Sequence, residues 1–510
     1  MAFHGAKAPL KPGGYLMKLR ELAGAAPNLI GLSGDGDVEI RALCADTRRT
    51  ADLQCSLFFC ISGANFDGNK FARIAAEGGA VALAVEHLLP EIDLPQVQVN
   101  NIRVAMAYIA AAFYGNPAKS MRMFAVTGTK GKTTTTYLVK SVLERMGLKA
   151  GLIGTIGNMI GEKVLKSTLT TPDPLDLHQV LAEMRDEGVQ AVVMEASAHA
   201  MDMHRLDGIV FEGVAYTNLS QDHLDYFHTM ENYAAAKKKL FSPYYTKNCA
   251  FNADDDMTPF MMEGVTLPYV TFGISADCDI YARDIEIAEE GVSFMMRLRG
   301  GLETRVNLKM TGMFNVYNAM TAAALGMIAG ATMDEIRAGL EAVRSVPGRA
   351  EMLDTDTPYK VILDYSHAPA ALENILSMVR EFAKNRVIAL FGCGGDRDRE
   401  KRPVMGAIGG RMADFCILTS DNARSEDPYA ILEMVEEGIR PTGGAYCVIE
   451  NRRDAIRKAL EMAEPGDVVV LAGKGHETYQ EVRGVKRPFD EKKIVAELLE
   501  EMKREQKTEE

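Results

Sequence analysis

Tryptophan is absent from the 510 residues, no two cysteines stand as C-x-x-C, and no apolar run is long enough to cross a bilayer. Each gap removes a class of explanation. The eight cysteines are scattered, and the nearest pair, Cys55 and Cys60, sits in an apolar stretch, so buried free thiols are expected rather than a disulfide or metal framework. The first residues lack the apolar block of a secretion signal, and the expectation is a cytoplasmic protein with no membrane partner. Basic residues number 57 against 70 acidic ones, a net charge of −13 that argues against a nucleic-acid partner. There is no repeat and no low-complexity linker. The 29 methionines, like the missing tryptophan, concern how a core is filled and carry no functional message. Hydrophobic content of 47% and charged content of 25% are those of a globular protein, and the length suggests about three domains.

What is present begins with Ala125-Val126-Thr127-Gly128-Thr129-Lys130-Gly131-Lys132-Thr133-Thr134. An apolar strand over Met123 to Val126 runs through a glycine loop into a helix over Thr134 to Glu144, the layout of a phosphate cradle. Gly128 and Gly131 let backbone N–H groups turn toward an anion, Lys132 supplies a cation for the terminal phosphates, and the Thr133 hydroxyl suits Mg²⁺. Val126 stands where the common G-x-x-x-x-G-K-[ST] pattern has its first glycine, so the match is to the second half of that pattern.

Three domains are expected: residues 1–104, 105–344 and 345–510. The first mixes short apolar runs (Ser56 to Ile61, Ala80 to Val85, Val97 to Val99) with turns such as Gly63 to Gly68, a small α/β domain. In the second, strands at Gln190 to Met194 and Val214 to Thr217 and a helix at Glu231 to Phe241 alternate around the phosphate loop, which predicts a mostly parallel sheet like that of P-loop ATPases. Cys278 to Leu308 alternates more and reads as an antiparallel meander. Ser345-Val346-Pro347-Gly348-Arg349 ends the helix of Met333 to Val343 and marks the second boundary. The third domain repeats the α/β scheme, Rossmann-like, with strands at Lys360 to Leu363, Val387 to Phe391, Phe415 to Leu418 and Val468 to Leu471, and ends in an amphipathic helix from Glu491. Ligands in such sheets sit beyond the carboxyl ends of the strands, where the polar loops lie.

Several of those loops carry chemistry. Glu195 follows an apolar strand on the sheet of the phosphate loop, where an ATPase needs a Mg²⁺ ligand; the plainer reading is a surface carboxylate. Thr217-Asn218-Leu219-Ser220-Gln221-Asp222-His223-Leu224-Asp225 gathers polar groups in one loop, in which either aspartate alternatively caps the next turn and His223 alternatively serves structure alone. Lys237, Lys238 and Lys239 stand in a row, and a solvated basic face is the default for two of them.

These segments together resemble the Mur ligase family, the ATP-dependent amino-acid-adding enzymes of peptidoglycan synthesis. The resemblance rests on residues 127–133, Glu195-Ala-Ser-Ala-His199, residues 217–225 and Tyr233-Ala-Ala-Ala-Lys237. It extends to Asn315-Val-Tyr-Asn318, similar to the family's adenine-binding stretch, to Pro347-Gly348-Arg349, similar to its interdomain linker, and to Asp364-Tyr365-Ser366-His367-Ala-Pro369. Within the family, Asp46-Thr47-Arg48, the turn at Gly63 to Gly68, and Thr170-Thr171-Pro172-Asp173 look like the contacts of the third-residue ligases with a uridine nucleotide and muramoyl dipeptide. Gly394-Gly395-Asp396-Arg397-Asp398, residues 420–428 and Gly473-Lys474-Gly475-His476-Glu477 resemble their amino-acid pocket.

The resemblance implies a reaction. ATP activates the free D-glutamyl carboxylate of UDP-N-acetylmuramoyl-L-alanyl-D-glutamate as an acyl phosphate, and the amine of meso-diaminopimelate attacks it. It implies that Gly128 to Thr134, Asn315, Asn318, Arg349 and Asp364 bind ATP, and that Thr133, Glu195, His223 and Lys237 hold Mg²⁺, with Lys237 carbamylated. Lys132, Glu195, His223 and Lys237 are the expected catalytic set. Thr47, Thr170, Thr171, Ser197, Arg205, Arg397, Asp421, Asn422, Arg424, Gly473 and Glu477 are the expected substrate contacts. Family members that add diaminopimelate commonly carry Asp-Asn-Pro-Arg, and Ala423 replaces the proline here. The proline stiffens the backbone, whereas the guanidinium of Arg424 recognises: it forks onto a distal carboxylate, which lysine lacks. The plain alternative for Arg424 is a surface pair with Glu426 or Asp427. The competing functions are the same ligation with L-lysine, glutamate addition to folate, and a non-catalytic ATP-binding regulatory module; a monomer is expected.

Overall fold

The computed structural model describes residues 15–63, 67–165, 167, 169–275 and 277–509. The chain divides into two compact units. One takes in the residues up to Lys132 together with Met146–Val270 and Ala324–Ala331; the other comprises Thr133–Arg145, Thr271–Ala323 and Thr332–Glu510. The turn at Gly63 to Gly68 includes residues 64–66, which lie outside the described residues.

Besides a two-stranded ribbon of Met17–Lys18 and Glu39–Ile40, the first unit holds two larger sheets. The smaller runs in the order Leu29–Ser33, Gln96–Val99, Ala80–Val85, Ser56–Phe59, Ala42–Cys44, parallel except for its antiparallel edge at Leu29–Ser33. Helices Leu19–Ala25 and Ile102–Phe113 cover it with Leu19, Leu22, Ile109 and Phe113 against Phe59 and Val97. In the larger sheet, Arg122–Thr127 lies between Ala191–Glu195 and Gly213–Tyr216, with Ala150–Ile153 and Cys249–Asn252 outside them, all parallel. Apart from Arg122, these strands are buried throughout, as expected where both faces of a sheet are covered, and they are written as nearly unbroken apolar runs. Register aligns their ends: Glu195 faces Val126 and Tyr216 faces Thr127, so the phosphate loop, Glu195 and the loop at Thr217 leave the sheet at one edge.

In the second unit, Ile280–Ala288, Gly291–Leu298 and Glu303–Leu308 form the expected antiparallel meander. A six-stranded sheet has the order Glu351–Leu353, Lys360–Asp364, Val468–Ala472, Val387–Phe391, Phe415–Leu418, Tyr446–Val448, parallel but for the first strand. It carries a core on each face, one around Leu372, Phe391 and Leu432 and the other around Leu390, Ile456 and Leu498. The architecture is mixed α/β with a large, mostly parallel sheet.

The structure corrects some local expectations. Glu195 is the last residue of its strand rather than the residue after it. The helix over Lys237 stops at Lys238 and tightens into a 3₁₀ turn at Lys239–Phe241. Cys55 is exposed: its N–H donates to Gly79 O at 2.9 Å, its carbonyl accepts from Arg41 N at 2.9 Å, and a left-handed φ of 55° aims the thiol outward. The other cysteines are free and, except for half-buried Cys447, buried. Among the described residues, no helix is long and apolar enough to cross a membrane.

His178, on helix Pro174–Asp186, is enclosed with neither ring nitrogen hydrogen-bonded, and burial holds its pKa down at about 4. The unfolded chain takes up that proton near 6.5 and the folded chain only near 4. Stability is therefore intact above pH 6.5 and falls as pH drops through that window, by about 3 kcal/mol at about 1.36 kcal/mol per pKa unit. His178→Leu keeps the volume and abolishes the titration, so urea unfolding midpoints taken from about pH 7 to about pH 4.5 should fall less steeply in the variant.

Candidate functional site

The phosphate loop is built by its neighbours. Gly128 has φ +147°, and a Cβ there would lie 1.9 Å from Thr217 Oγ1 and 3.0 Å from Asn218 O, so only glycine lets the two loops meet. Asn218 clasps the next residues: its carbonyl accepts from Thr129 N at 2.9 Å, and its side chain accepts from Lys130 N at 2.9 Å and donates to Lys130 O at 3.2 Å. Thr217 Oγ1 donates to Lys130 O at 2.7 Å, and Gly131 turns the chain with φ +84° into helix Lys132–Arg145.

Two lysines point at the base of this loop. Lys132 Nζ donates to Gly128 O at 2.8 Å and Thr129 O at 2.9 Å. Lys237 Nζ, on helix Met230–Lys238 and 1% exposed, donates to the same Gly128 oxygen at 2.8 Å and lies 4.4 Å from the centre of the Tyr233 ring. Burial, reinforced by the Lys132 charge and only partly opposed by Asp222, holds the Lys237 amine well below an ordinary lysine. Lys238 instead pairs with Glu263 at 3.2 Å and Lys239 with Asp202 at 3.3 Å, the solvated behaviour expected of two of the three. Tyr233 OH meets Thr129 Oγ1 at 3.3 Å, tying this helix to the loop.

His223 completes this corner. It is half-exposed, with φ 54°; its Nε2 is 3.6 Å from Asp222 Oδ2, and its ring meets those of His199 at 4.8 Å and Tyr233 at 6.1 Å. Burial lowers its pKa against the pull of Asp222, and burial together with His223 lowers that of His199, so both imidazoles favour the neutral, metal-binding form.

Glu195 is buried, its carboxylate accepting from Thr155 N at 2.8 Å and Thr155 Oγ1 at 3.1 Å. The surface reading of this residue fails. Thr155 Oγ1 touches Thr170 Oγ1 at 3.0 Å; Thr171 Oγ1 bonds Glu195 O at 2.8 Å and Ser197 Oγ at 3.2 Å; and Arg205 donates to Thr171 O at 2.8 Å while pairing with Asp173 at 2.8 Å. Thr170, Thr171, Ser197 and Arg205 thus form one patch beside Glu195. Thr47 is half-buried between Asp46 and Arg48, which pair with each other at 2.7 Å.

In the second unit, Arg349 donates to Thr133 Oγ1 at 3.2 Å and lies 5.2 Å from the centre of the Tyr365 ring. Asp364 accepts from Ala350 N at 2.7 Å and from Ser366 Oγ, and burial raises its pKa. Asn315 and Asn318 are buried one helical turn apart, joined by Asn318 Nδ2 donating to Asn315 Oδ1 at 3.0 Å, while Asn315 Nδ2 donates to Thr311 O at 2.8 Å.

A second cluster lies at the ends of the six-stranded sheet. The ammonium of Lys474, fully buried, reaches Asn422 Oδ1 at 3.1 Å, Glu477 Oε2 at 3.1 Å and Asp421 Oδ1 at 3.4 Å, and Asn422 Nδ2 donates to Glu477 Oε2 at 2.9 Å. Burial pushes the Asp421 carboxyl up, but Lys474 and Arg452 outweigh it and hold it below the usual range. Gly473, at φ +118°, leaves Asp421 Oδ2 only 3.3 Å from where a Cβ would stand. Arg424 is half-buried, and its guanidinium donates to Gly395 O at 2.6 Å. The two carboxylates weighed as its surface partners are otherwise engaged: Glu426 binds Arg402 at 2.8 Å and Arg399 at 3.1 Å and is held down at about 2, and Asp427 caps helix Pro428–Ile439. Arg397 is exposed nearby in sequence.

Sequence comparison bears on the same segments. Residues 126–326 match the Mur ligase middle domain, and residues 348–475 match the Mur ligase glutamate ligase domain. The chain is 42% identical, over 92% of its length and 96% of the relative's, to a UDP-N-acetylmuramoyl-L-alanyl-D-glutamate--2,6-diaminopimelate ligase of Caldanaerobacter subterraneus. The chain belongs to the Mur ligase family. A protein of the same name, numbered 1, from Clostridium acetobutylicum is 41% identical over 95% of this chain and all of its own. A solved structure of a ligase so named superposes with a TM-score of 0.67 at 30% identity, covering 95% of this chain and 99% of that one.

Within this Mur ligase chain, Thr155, Asn218, Lys474 and Arg452 take part in the clusters without having been singled out as contacts. Two of them carry a signal in the sequence: Lys474 is a lysine flanked by two glycines after an apolar strand, and Asn218 stands in the polar loop of residues 217–225. Thr155 and Arg452 carry none, because their partners are remote in sequence. Gly128→Ala forces a methyl group into Thr217, and ADP affinity measured by calorimetry should drop about tenfold or more, about 1.4 kcal/mol, with circular dichroism unchanged.

Proposed function

We propose that the chain is an ATP-dependent ligase that joins an amino group of meso-diaminopimelate to the free D-glutamyl carboxylate of UDP-N-acetylmuramoyl-L-alanyl-D-glutamate. The observation that carries this reading is end-to-end likeness, at 42% identity, to a relative bearing that name. The arrangement of Lys132, Lys237 and the Asp421–Lys474 cluster supports it.

A carboxylate does not acylate an amine at neutral pH because oxide is too poor a leaving group. ATP supplies the remedy: the carboxylate oxygen bonds to the γ-phosphorus as the bond to ADP breaks, and the amine then bonds to the acyl carbon as phosphate departs and a proton is lost. The work of this chain is to fix positive charge among converging anions before they react. Lys132 and the loop from Gly128 to Thr134 hold the phosphates; Asn315 and Asn318 face adenine, Asp364 the ribose, and Arg349 the phosphates. Residues 1–104 with Thr47 bind the uridine end of the substrate, residues 105–344 with Thr170, Thr171, Ser197 and Arg205 its peptide end and the nucleotide, and residues 345–510 the amino acid.

Mg²⁺, which would draw charge from the phosphate oxygens, fits the donors only in one form. The residues proposed to hold it, by family resemblance, are a mixed set: the Thr133 hydroxyl, Glu195, His223 and Lys237. An amine is a poor ligand for a hard cation, whereas a carbamate offers oxygen. The buried, neutral-leaning amine of Lys237 is suited to forming one by bonding CO₂ and releasing a proton.

At the amino-acid end, Arg424 forks onto the distal carboxylate of diaminopimelate while Asp421 and Glu477 take its ammonium; lysine would set its ammonium against the guanidinium. Phosphate release from ATP with the muramoyl dipeptide should require meso-diaminopimelate, with the tripeptide mass in the product. Turnover with L-lysine in its place would overturn the Arg424 assignment, and ATP hydrolysis indifferent to any amino acid would favour a regulatory module.

A further inference from the structure

We infer that Arg452 is a positioning residue for the amino-acid pocket: its guanidinium, anchored on Glu491, cross-ties the two loops that present Asp421, Asn422, Lys474 and Glu477. The inference rests on the ligase reading above and adds to it the element that holds the pocket in shape.

The need for a tie follows from strand order. Asp421 and Asn422 follow strand Phe415–Leu418, and Gly473 and Lys474 follow strand Val468–Ala472, but Val387–Phe391 lies between these two strands. No ladder hydrogen bond joins these two strands; the chain beyond them meets farther out, where Arg424 N donates to Glu481 O at 3.0 Å and Arg483 N donates to Arg424 O at 2.6 Å, but that bridge lies past the first residues of each loop. Arg452 spans the gap. Its Nη2 donates to Ala472 O at 2.8 Å, and its Nη1 reaches Ser420 O at 3.5 Å, the carbonyls immediately before Gly473 and Asp421. Its Nε donates to Glu491 Oε1 at 2.7 Å, and both side chains of this pair are 0% exposed. A Cβ on Gly473 would stand 3.3 Å from Asp421 Oδ2 and 3.9 Å from Arg452 Nη2, so tie and pocket are in contact.

The two partners start helices. Arg452 opens Arg452–Met462, whose N-terminus is fixed by Asn451 Oδ1 accepting from Arg453 N at 3.0 Å, and Glu491 opens the C-terminal helix Glu491–Glu509. A planar guanidinium with divergent N–H groups meets three acceptors in fixed directions, which an ammonium on a flexible stem does not. A buried ion pair is seldom worth more to stability than an apolar pair of similar volume, so stability alone gives little reason for this one. Glu491 Oε2 has no hydrogen-bond partner among the described residues, leaving Arg452 as the group that compensates this carboxylate. Arg452 also helps Lys474 keep Asp421 ionised in its buried setting.

The test compares wild type, Arg452→Lys and the double variant Arg452→Met/Glu491→Leu, which removes both charges so that neither is stranded. The double variant should melt near the wild-type temperature, raise KM for diaminopimelate about tenfold or more, and leave KM for ATP and for the muramoyl dipeptide within about twofold. Arg452→Lys, which keeps the charge but not the fork, should raise KM for diaminopimelate in the same selective way and keeps the test open if the double variant fails to fold. Backbone hydrogen exchange should quicken at residues 419–424 and 472–478 while the intervening strand Val387–Phe391 stays protected. Unchanged KM for diaminopimelate, an equal rise in all three KM values, or exchange that quickens uniformly would overturn the inference. Wild type that ligates no amino acid would refute the proposed function instead, and the exchange comparison would then decide the cross-tie alone.

Discussion

Two lysine side-chain nitrogens share one carbonyl oxygen, that of Gly128, and the rest of the site is arranged around that contact. Each nitrogen is 2.8 Å from the oxygen, so the two stand at most about 6 Å apart, where unit charges repel by about 3 kcal/mol at an effective dielectric of about 20. Lys237 is also the buried one, and burial and repulsion act in the same direction on it. The result is a lysine better suited to reaction as an amine than to service as a cation. Lys132 stands at the mouth of the helix, the position proposed above for holding the phosphates.

That contact exists because three parallel strands end together. Arg122–Thr127 delivers the loop, Gly213–Tyr216 delivers Thr217 and Asn218 to brace it, and Ala191–Glu195 delivers Glu195 with its oxygens already fixed by Thr155. The second unit solves a similar problem differently. Around Lys474, two carboxylates and an amide share one ammonium, and the charge left over is negative, suited to an incoming amino group. Its loops leave strands that do not touch, so near the strand ends geometry depends on side chains, with a backbone bridge between Arg424 and Val482 only farther out.

Much of this was legible in the sequence. The phosphate loop, the buried strands, the meander and the strand–helix alternation after Arg349 are local patterns of glycine placement and apolar period, and the structure reproduces them with ends shifted by a residue or so. Thr170, Thr171, Ser197 and Arg205 are grouped as substrate contacts by family resemblance alone; in the structure Thr171 touches Ser197 Oγ and accepts from Arg205, in a patch that also includes Glu195. What stayed hidden depended on partners distant in sequence: Arg452 looks like any helix arginine until Glu491, Ala472 and Ser420 surround it, and Thr155 like any loop threonine until it meets Glu195. Cys55 looked buried because its neighbours are apolar, but a single left-handed φ reverses the side chain.

Lys237, buried and with its amine held well below an ordinary lysine, is the residue proposed to become an anionic oxygen ligand by carbamylation. The most direct measurement is carbon-13 NMR of the protein equilibrated with labelled bicarbonate, wild type beside Lys237→Met. One protein-bound carbamate resonance is expected in wild type, absent from the variant and lost on acidification. No such resonance, or one that persists without Lys237, would contradict that role.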